Sequence, residues 1–131
     1  MHTGSSDPKQ NEWIRLRKSF SYAIEGMKHT IKSEKNMQIH LLATVVVIFL
    51  MFLFPLTMLE RAILFIVIGI VLALEMVNTA IENVVDLVTE EYKPLAKIAK
   101  DVAAGAVLLF VLFAVLVGII ILGPKVIHFF S

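Results

Sequence analysis

The chain has no cysteine, so disulfides and thiolate metal sites are excluded. Charge is scarce: Asp, Glu, Lys and Arg together make up 18% of 131 residues, and the net charge of +1 gives no case for nucleic acid as a partner. The four histidines, His2, His29, His40 and His128, are scattered, and none pairs at a metal-ligand spacing. No GxxxxGK[ST] loop, HExxH or GxSxG string occurs, nor a soluble protein-kinase signature. The GIIILGPK stretch, Gly118 to Lys125, has only a superficial likeness to a phosphate loop, because it closes an apolar helix. The polar stretch Met1–Asn11 lacks the apolar core of a signal peptide, so no cleaved targeting segment is expected there, only a disordered leader over 1–11.

What is abundant is apolar residue, at 58% of the chain with a mean hydropathy of +0.83. Three long apolar runs stand out: Ile39–Phe54, Ala62–Leu74 with a more polar continuation to Val88, and Val102–Leu122 before Gly123-Pro124. A span needs about 20 such residues. With their flanks the runs predict membrane-spanning helices over about 37–58, 61–88 and 99–122. Helices are the expected form because lipid offers no partner to an unpaired backbone group.

Ahead of the first span lies a different pattern. Trp13, Leu16, Phe20, Ala23, Ile24, Met27 and Ile31 recur at steps of three and four, while Arg15, Arg17, Lys18, Lys28 and Lys32 occupy the other faces. This predicts an amphipathic helix over 12–35 that lies along a membrane surface. The predicted fold class is therefore all-α and integral to a membrane. Lys and Arg concentrate before span one and again between spans two and three (Lys93, Lys97, Lys100), against Arg61 in the first loop and Lys125 in the tail. That bias places the N-terminus and second loop on the cytoplasmic side of the cell membrane.

The second span, ALEMVNTAIENVVDLVTEEY, is the informative one. At about 100° per residue, Glu82 and Asp86 each fall within roughly 20° of the line through Glu75, and Asn78 flanks that line. Glu75 lies about 10 Å deeper than Glu82. Ionisable groups inside a span are costly and mark function. A submerged carboxylate suits a proton acceptor. Carboxylates near the boundary suit Mg²⁺, a hard cation that takes oxygen ligands together with phosphate. Glu34 stands just before span one, and Glu90, Glu91, Tyr92, Lys93, Lys97, Lys100 and Asp101 lie between spans two and three. Most of these read as solvated surface, and Asp101 alone could be an ordinary helix cap. Lys100-Asp101 opens span three, where charge costs more, and a lysine there can meet phosphate. A proton-linked transporter or channel subunit would also want carboxylates in a span, but not the Lys100-Asp101 edge or Glu34. A non-catalytic scaffold, with the stripe only packing helices, is the blander option.

The string Glu75-Met-Val-Asn78-Thr-Ala-Ile-Glu82-Asn-Val-Val-Asp86, followed by Ala96-Lys-Ile-Ala-Lys100-Asp101-Val-Ala-Ala-Gly-Ala-Val107, resembles the signature of the prokaryotic diacylglycerol kinase family. The likeness extends upstream through Ser19-Phe20, Ala23, Gly26 and Glu34-Lys-Asn36-Met, so it covers most of residues 15–124. It implies a homotrimer of three-span subunits that transfers the γ-phosphate of ATP, with Mg²⁺, to a lipid alcohol in the bilayer. It implies Glu75 as catalytic base and Asn78 as its support beside the transferred group. Glu34 and Glu82 would hold Mg²⁺ and the nucleotide phosphates, while Arg15, Tyr22, Glu91, Tyr92, Lys93, Lys100 and Asp101 would contact the nucleotide. Ala104, where diacylglycerol-specific members tend to carry serine, the Glu34-Lys-Asn36-Met-x-x-His40 string and the terminal Gly-Pro-Lys resemble the Gram-positive branch, which is similar to undecaprenol kinase. Undecaprenol is the acceptor this branch implies, and diacylglycerol is the alternative.

Overall fold

The computed structural model describes residues 8–131, so most of the leader expected over 1–11 lies outside the described residues. Four helices follow one another: α1 (Pro8–Ser33), α2 (Lys35–Leu53), α3 (Met58–Val88) and α4 (Pro94–Phe130). The last three are long and apolar enough to cross a membrane. Their lengths, at 1.5 Å per residue, are about 28, 46 and 55 Å, against a hydrocarbon core of about 30 Å. Helix α2 therefore matches a bilayer, whereas α3 and α4 overshoot it. The surplus turns carry the charged residues.

Each boundary has a local cause. Glu34 sits between α1 and α2 with extended backbone (φ −103°, ψ 118°), which turns the chain from one helix into the next. Helix α2 stops at Leu53 because Pro55 pushes Phe54 into an extended conformation (φ −102°, ψ 147°). Thr57 then caps α3 with a full capping box. Its hydroxyl accepts from the Glu60 amide at 3.2 Å, and its own amide donates to Glu60 Oε2 at 2.7 Å. Pro94 opens α4 at a position where a missing N–H costs nothing.

The third apolar run was expected to end at Gly123-Pro124, but α4 continues through Pro124 to Phe130. A proline this close to a helix end removes only one backbone bond, and tertiary contacts hold the extra turns. Lys125 Nζ lies 3.7 Å from Glu60 Oε1, and the ring of Phe129 packs edge-on against Phe54 at 5.8 Å.

Helix α3 packs chiefly against α4 and less extensively against α2. The apolar core is small and lies at the end away from α1: Met51, Leu56, Leu64, Ile121 and Leu122. Arg61 ties that end together, donating from Nη1 to the Met51 carbonyl at 2.7 Å and from Nε to the Leu56 carbonyl at 3.4 Å. Large apolar side chains elsewhere on the spans point outward, among them Val45, Phe49, Phe65, Ile66, Leu112 and Ile119. A surface this apolar is suited to lipid or further protein rather than water. Helix α1 joins the bundle at its C-terminal end, where Thr30 is buried and Gln38 Nε2 donates back to the Ile31 carbonyl at 3.1 Å. Its apolar stripe is uncovered, with Trp13 68% and Phe20 63% exposed. A free greasy stripe opposite basic residues is the form of a helix that rests on a membrane.

Candidate functional site

Seven residues per two turns put Glu75, Asn78 and Glu82 on one side of α3, and the packing turns that side inward at the first two positions. Glu75 is 1% exposed and Asn78 6%, while Glu82 is half-buried one turn further on. Together with Asn36 and His40 of α2 and Ala104, Val107, Leu108 and Val111 of α4, they line a cavity of about 240 Å³. Thr79, also buried, turns its hydroxyl to the Glu75 carbonyl at 3.0 Å, so it completes the helix and leaves the cavity alone.

Polar bonding in this cavity is incomplete. Asn78 Nδ2 donates to Glu82 Oε1 at 3.0 Å. Asn78 Oδ1 is the one buried side-chain nitrogen or oxygen among the described residues with no hydrogen-bond partner. Such an orphan costs about 1–3 kcal/mol. The recorded ionisable partner of Glu75 is His40, whose Nε2 lies 3.8 Å from Oε2, too far for a hydrogen bond. A buried acid, a nearby imidazole, an unpaired amide oxygen and the Glu82 carboxylate line one cavity, a set with the chemistry to accept a proton and to take a hard cation.

Glu34 contributes from the α1–α2 junction. It is half-buried and accepts from the Ser33 hydroxyl at 3.3 Å. It does not line the cavity itself. Among the described residues no group of three or more His, Asp or Glu side chains converges as a ready-made metal site. Of the oxygen donors that Mg²⁺ takes, Glu82 and Asn78 line the cavity and Glu34 does not, and such an ion binds through one or two carboxylates and completes its shell with phosphate and water.

A second, more open cavity of about 330 Å³ begins one turn beyond Glu82, where α3 and α4 overshoot together. Five of the candidates meet there: Glu91, Tyr92, Lys93, Lys100 and Asp101, with Asp86 and Lys97. The charges are paired with each other: Lys93 with Glu91 at 3.1 Å, Lys97 with Asp101, and Lys100 with Asp86. Exposed pairs of this kind contribute about 0–1 kcal/mol each. Pairs this weak leave the lysines available to another anion.

The carboxylate stripe of α3 is thus divided. Glu75 and Glu82 face one cavity, while Asp86 faces the other and pairs with α4. Arg15 and Tyr22 are exposed on α1, about 22 and 12 Å along the helix from the buried Thr30, and one chain does not bring them to either cavity. Asn36 and His40 are cavity residues to which their sequence pattern alone assigns no chemistry. The available signal was their spacing: they are four apart on α2, one helical turn, and directly follow Glu34.

Residues 21–122 match the family described as prokaryotic diacylglycerol kinase. The chain is 43% identical over 120 residues to undecaprenol kinase of Bacillus subtilis, covering 92% of this chain and 98% of that one. It is 42% identical to a diacylglycerol kinase of Synechocystis, over 92% of this chain and 72% of that one. It is 32% identical to a diacylglycerol kinase of Helicobacter pylori, over 84% of this chain and 86% of that one.

Proposed function

The chain belongs to the prokaryotic diacylglycerol kinase family, and from that premise we propose that it transfers the γ-phosphate of ATP to a lipid alcohol, with undecaprenol as the acceptor. The observation that carries this reading is the pairing of a fully buried acid, Glu75, with an unsatisfied amide oxygen at Asn78, in a cavity one turn from a cluster of lysines. A proton carrier would want the acid but has no use for the lysines.

In this reading the acceptor hydroxyl enters the cavity and gives its proton to Glu75 as its oxygen attacks the γ-phosphorus. The bond from that phosphorus to the bridging oxygen breaks, and ADP leaves. Asn78 orients the transferred group. Glu34 and Glu82 would hold Mg²⁺, which neutralises phosphate charge when bound. Lys93, Lys100 and Asp101, with Glu91 and Tyr92, receive the nucleotide at the open cavity. Phosphoryl transfer of this kind is mostly placement and charge neutralisation, so few groups suffice.

The wider setting belongs to the same proposal. The chain sits in the cell membrane with α1 on the cytoplasmic face, because lysine and arginine concentrate in α1 and the α3–α4 turn and are scarce between α2 and α3. It works as a homotrimer. The exposed apolar faces of the spans give a surface for neighbours, and a neighbouring α1 could bring Arg15 and Tyr22 to the nucleotide, which one chain does not. Diacylglycerol is the second reading for the acceptor, favoured by the names of several relatives.

Detergent-solubilised protein with γ-labelled ATP and Mg²⁺ tests the proposal against undecaprenol and diacylglycerol side by side. Label should pass to undecaprenol with the higher kcat/KM. Label on diacylglycerol alone overturns the acceptor, and label on neither overturns the kinase reading.

A further inference from the structure

Glu75 needs something to aim it. A buried carboxylate has a rotatable head, and only one orientation turns an oxygen into the cavity. On α3 itself the nearest polar neighbours do not hold it: Asn78 Nδ2 is committed to Glu82, and the Thr79 hydroxyl to the Glu75 backbone. From α4 the cavity receives only apolar side chains, Ala104, Val107, Leu108 and Val111. The carboxylates of Glu34 and Glu82 are bonded elsewhere, to the Ser33 hydroxyl and the Asn78 amide. From α2 comes His40, the one basic side chain recorded within ion-pair distance of Glu75 among the described residues.

His40 is itself well placed to be an anchor. Its side chain is 17% exposed, its backbone carbonyl accepts from Thr44 Oγ1 at 2.8 Å, and it follows Asn36 by one helical turn. It also lines a second, largely apolar groove of about 190 Å³ between α2, α3 and α4, which shares His40 and Val111 with the carboxylate cavity. The imidazole therefore stands where the polar cavity opens toward an apolar one. A movement of roughly 0.8 Å would bring its Nε2 from 3.8 Å into hydrogen-bond range of Oε2. Catalytic hydrogen bonds are often long before substrates bind and tighten in the complex.

We propose that His40 is a positioning residue for Glu75: its imidazole N–H holds one carboxylate oxygen so that the other faces the acceptor hydroxyl. The inference rests on Glu75 being the base, as proposed above. It assigns His40 no contact with the phosphates and no share of the metal.

The test uses full-length protein in micelles with undecaprenol and ATP. His40→Ala should lower kcat by about 10- to 100-fold, the scale expected for a misplaced catalytic group, with KM for ATP within about twofold. His40→Gln, which keeps an N–H donor at similar reach, should recover most of the rate. A helix-packing role alone would not give that rescue. If His40→Ala loses its thermal unfolding transition, His40→Phe, which fills the space without a donor, takes its place against His40→Gln. The inference is overturned if the donor-free variant keeps the parent rate, if His40→Gln is as slow as the donor-free variant, or if only KM for ATP moves. Glu75→Gln, measured in parallel, separates the two ideas. Full activity there removes the base and this inference with it, whereas a dead Glu75→Gln beside an unimpaired His40→Ala removes His40 alone.

Discussion

The start of α3 and its Glu75–Asn78 turn are both polar, yet their polar groups are in opposite states. At the end where α3 begins, Thr57, Glu60 and Arg61 have all found partners within the chain. Thr57 and Glu60 satisfy each other's amides, Glu60 approaches Lys125, and Arg61 bridges to the Met51 and Leu56 carbonyls. In the second half, Asn78 Oδ1 has no partner and Glu75 stands 3.8 Å from His40. A net hydrogen bond stabilises by about 1 kcal/mol, and leaving a buried group unmade costs as much or more. The satisfied groups at the start of α3 therefore explain themselves as structure. Unsatisfied ones, kept at a cost inside a span, call for a ligand to complete them.

This contrast can be broken by mutation, because the two regions should fail in different ways. The largest effect belongs to Glu75→Gln. Loss of a general base should lower kcat by about 10²- to 10⁴-fold in the lipid phosphorylation assay, with ATP binding retained. A rate near that of the parent would place Glu75 with the structural groups. Next is Glu82→Gln, which should shift the Mg²⁺ titration of activity to concentrations about tenfold higher. An unchanged titration would remove Glu82 as a metal-holding group. Smallest in activity but visible in stability are the changes at the satisfied end. Arg61→Leu should cost about 1.5–3 kcal/mol and Thr57→Ala about 1 kcal/mol, read as earlier unfolding in a denaturant series. Both should leave kcat of the folded fraction unchanged. Loss of turnover in Thr57→Ala without loss of stability would erase the distinction between the two regions.

Several elements were legible in the residues themselves. The apolar runs marked three spans because a bilayer imposes a length on any crossing helix, and that length is written as composition. The stripe of Trp13, Leu16, Phe20 and Ile24 marked α1 because helical periodicity is local. The shared side of Glu75, Asn78 and Glu82 also followed from periodicity alone. Periodicity failed where a partner helix decides. It grouped Asp86 with Glu75, but Lys100 of α4 draws Asp86 to the other cavity. It stopped α4 at Gly123-Pro124, but Phe54 and Glu60, far away in sequence, hold the last turns. It gave His40 no chemistry, since nothing near His40 in sequence reveals that α3 brings a buried acid beside it.

The sequence by itself determined how many helices there are, which of them are greasy enough to cross a membrane, and which face of α3 carries the acids. These depend on spacing along one helix, which neighbouring residues set. Only the tertiary structure decided which acid is sealed from solvent, which is paired with lysine, and which amide oxygen is left unpaired. Those outcomes depend on the approach of α2 and α4 to α3, and no single helix contains that information.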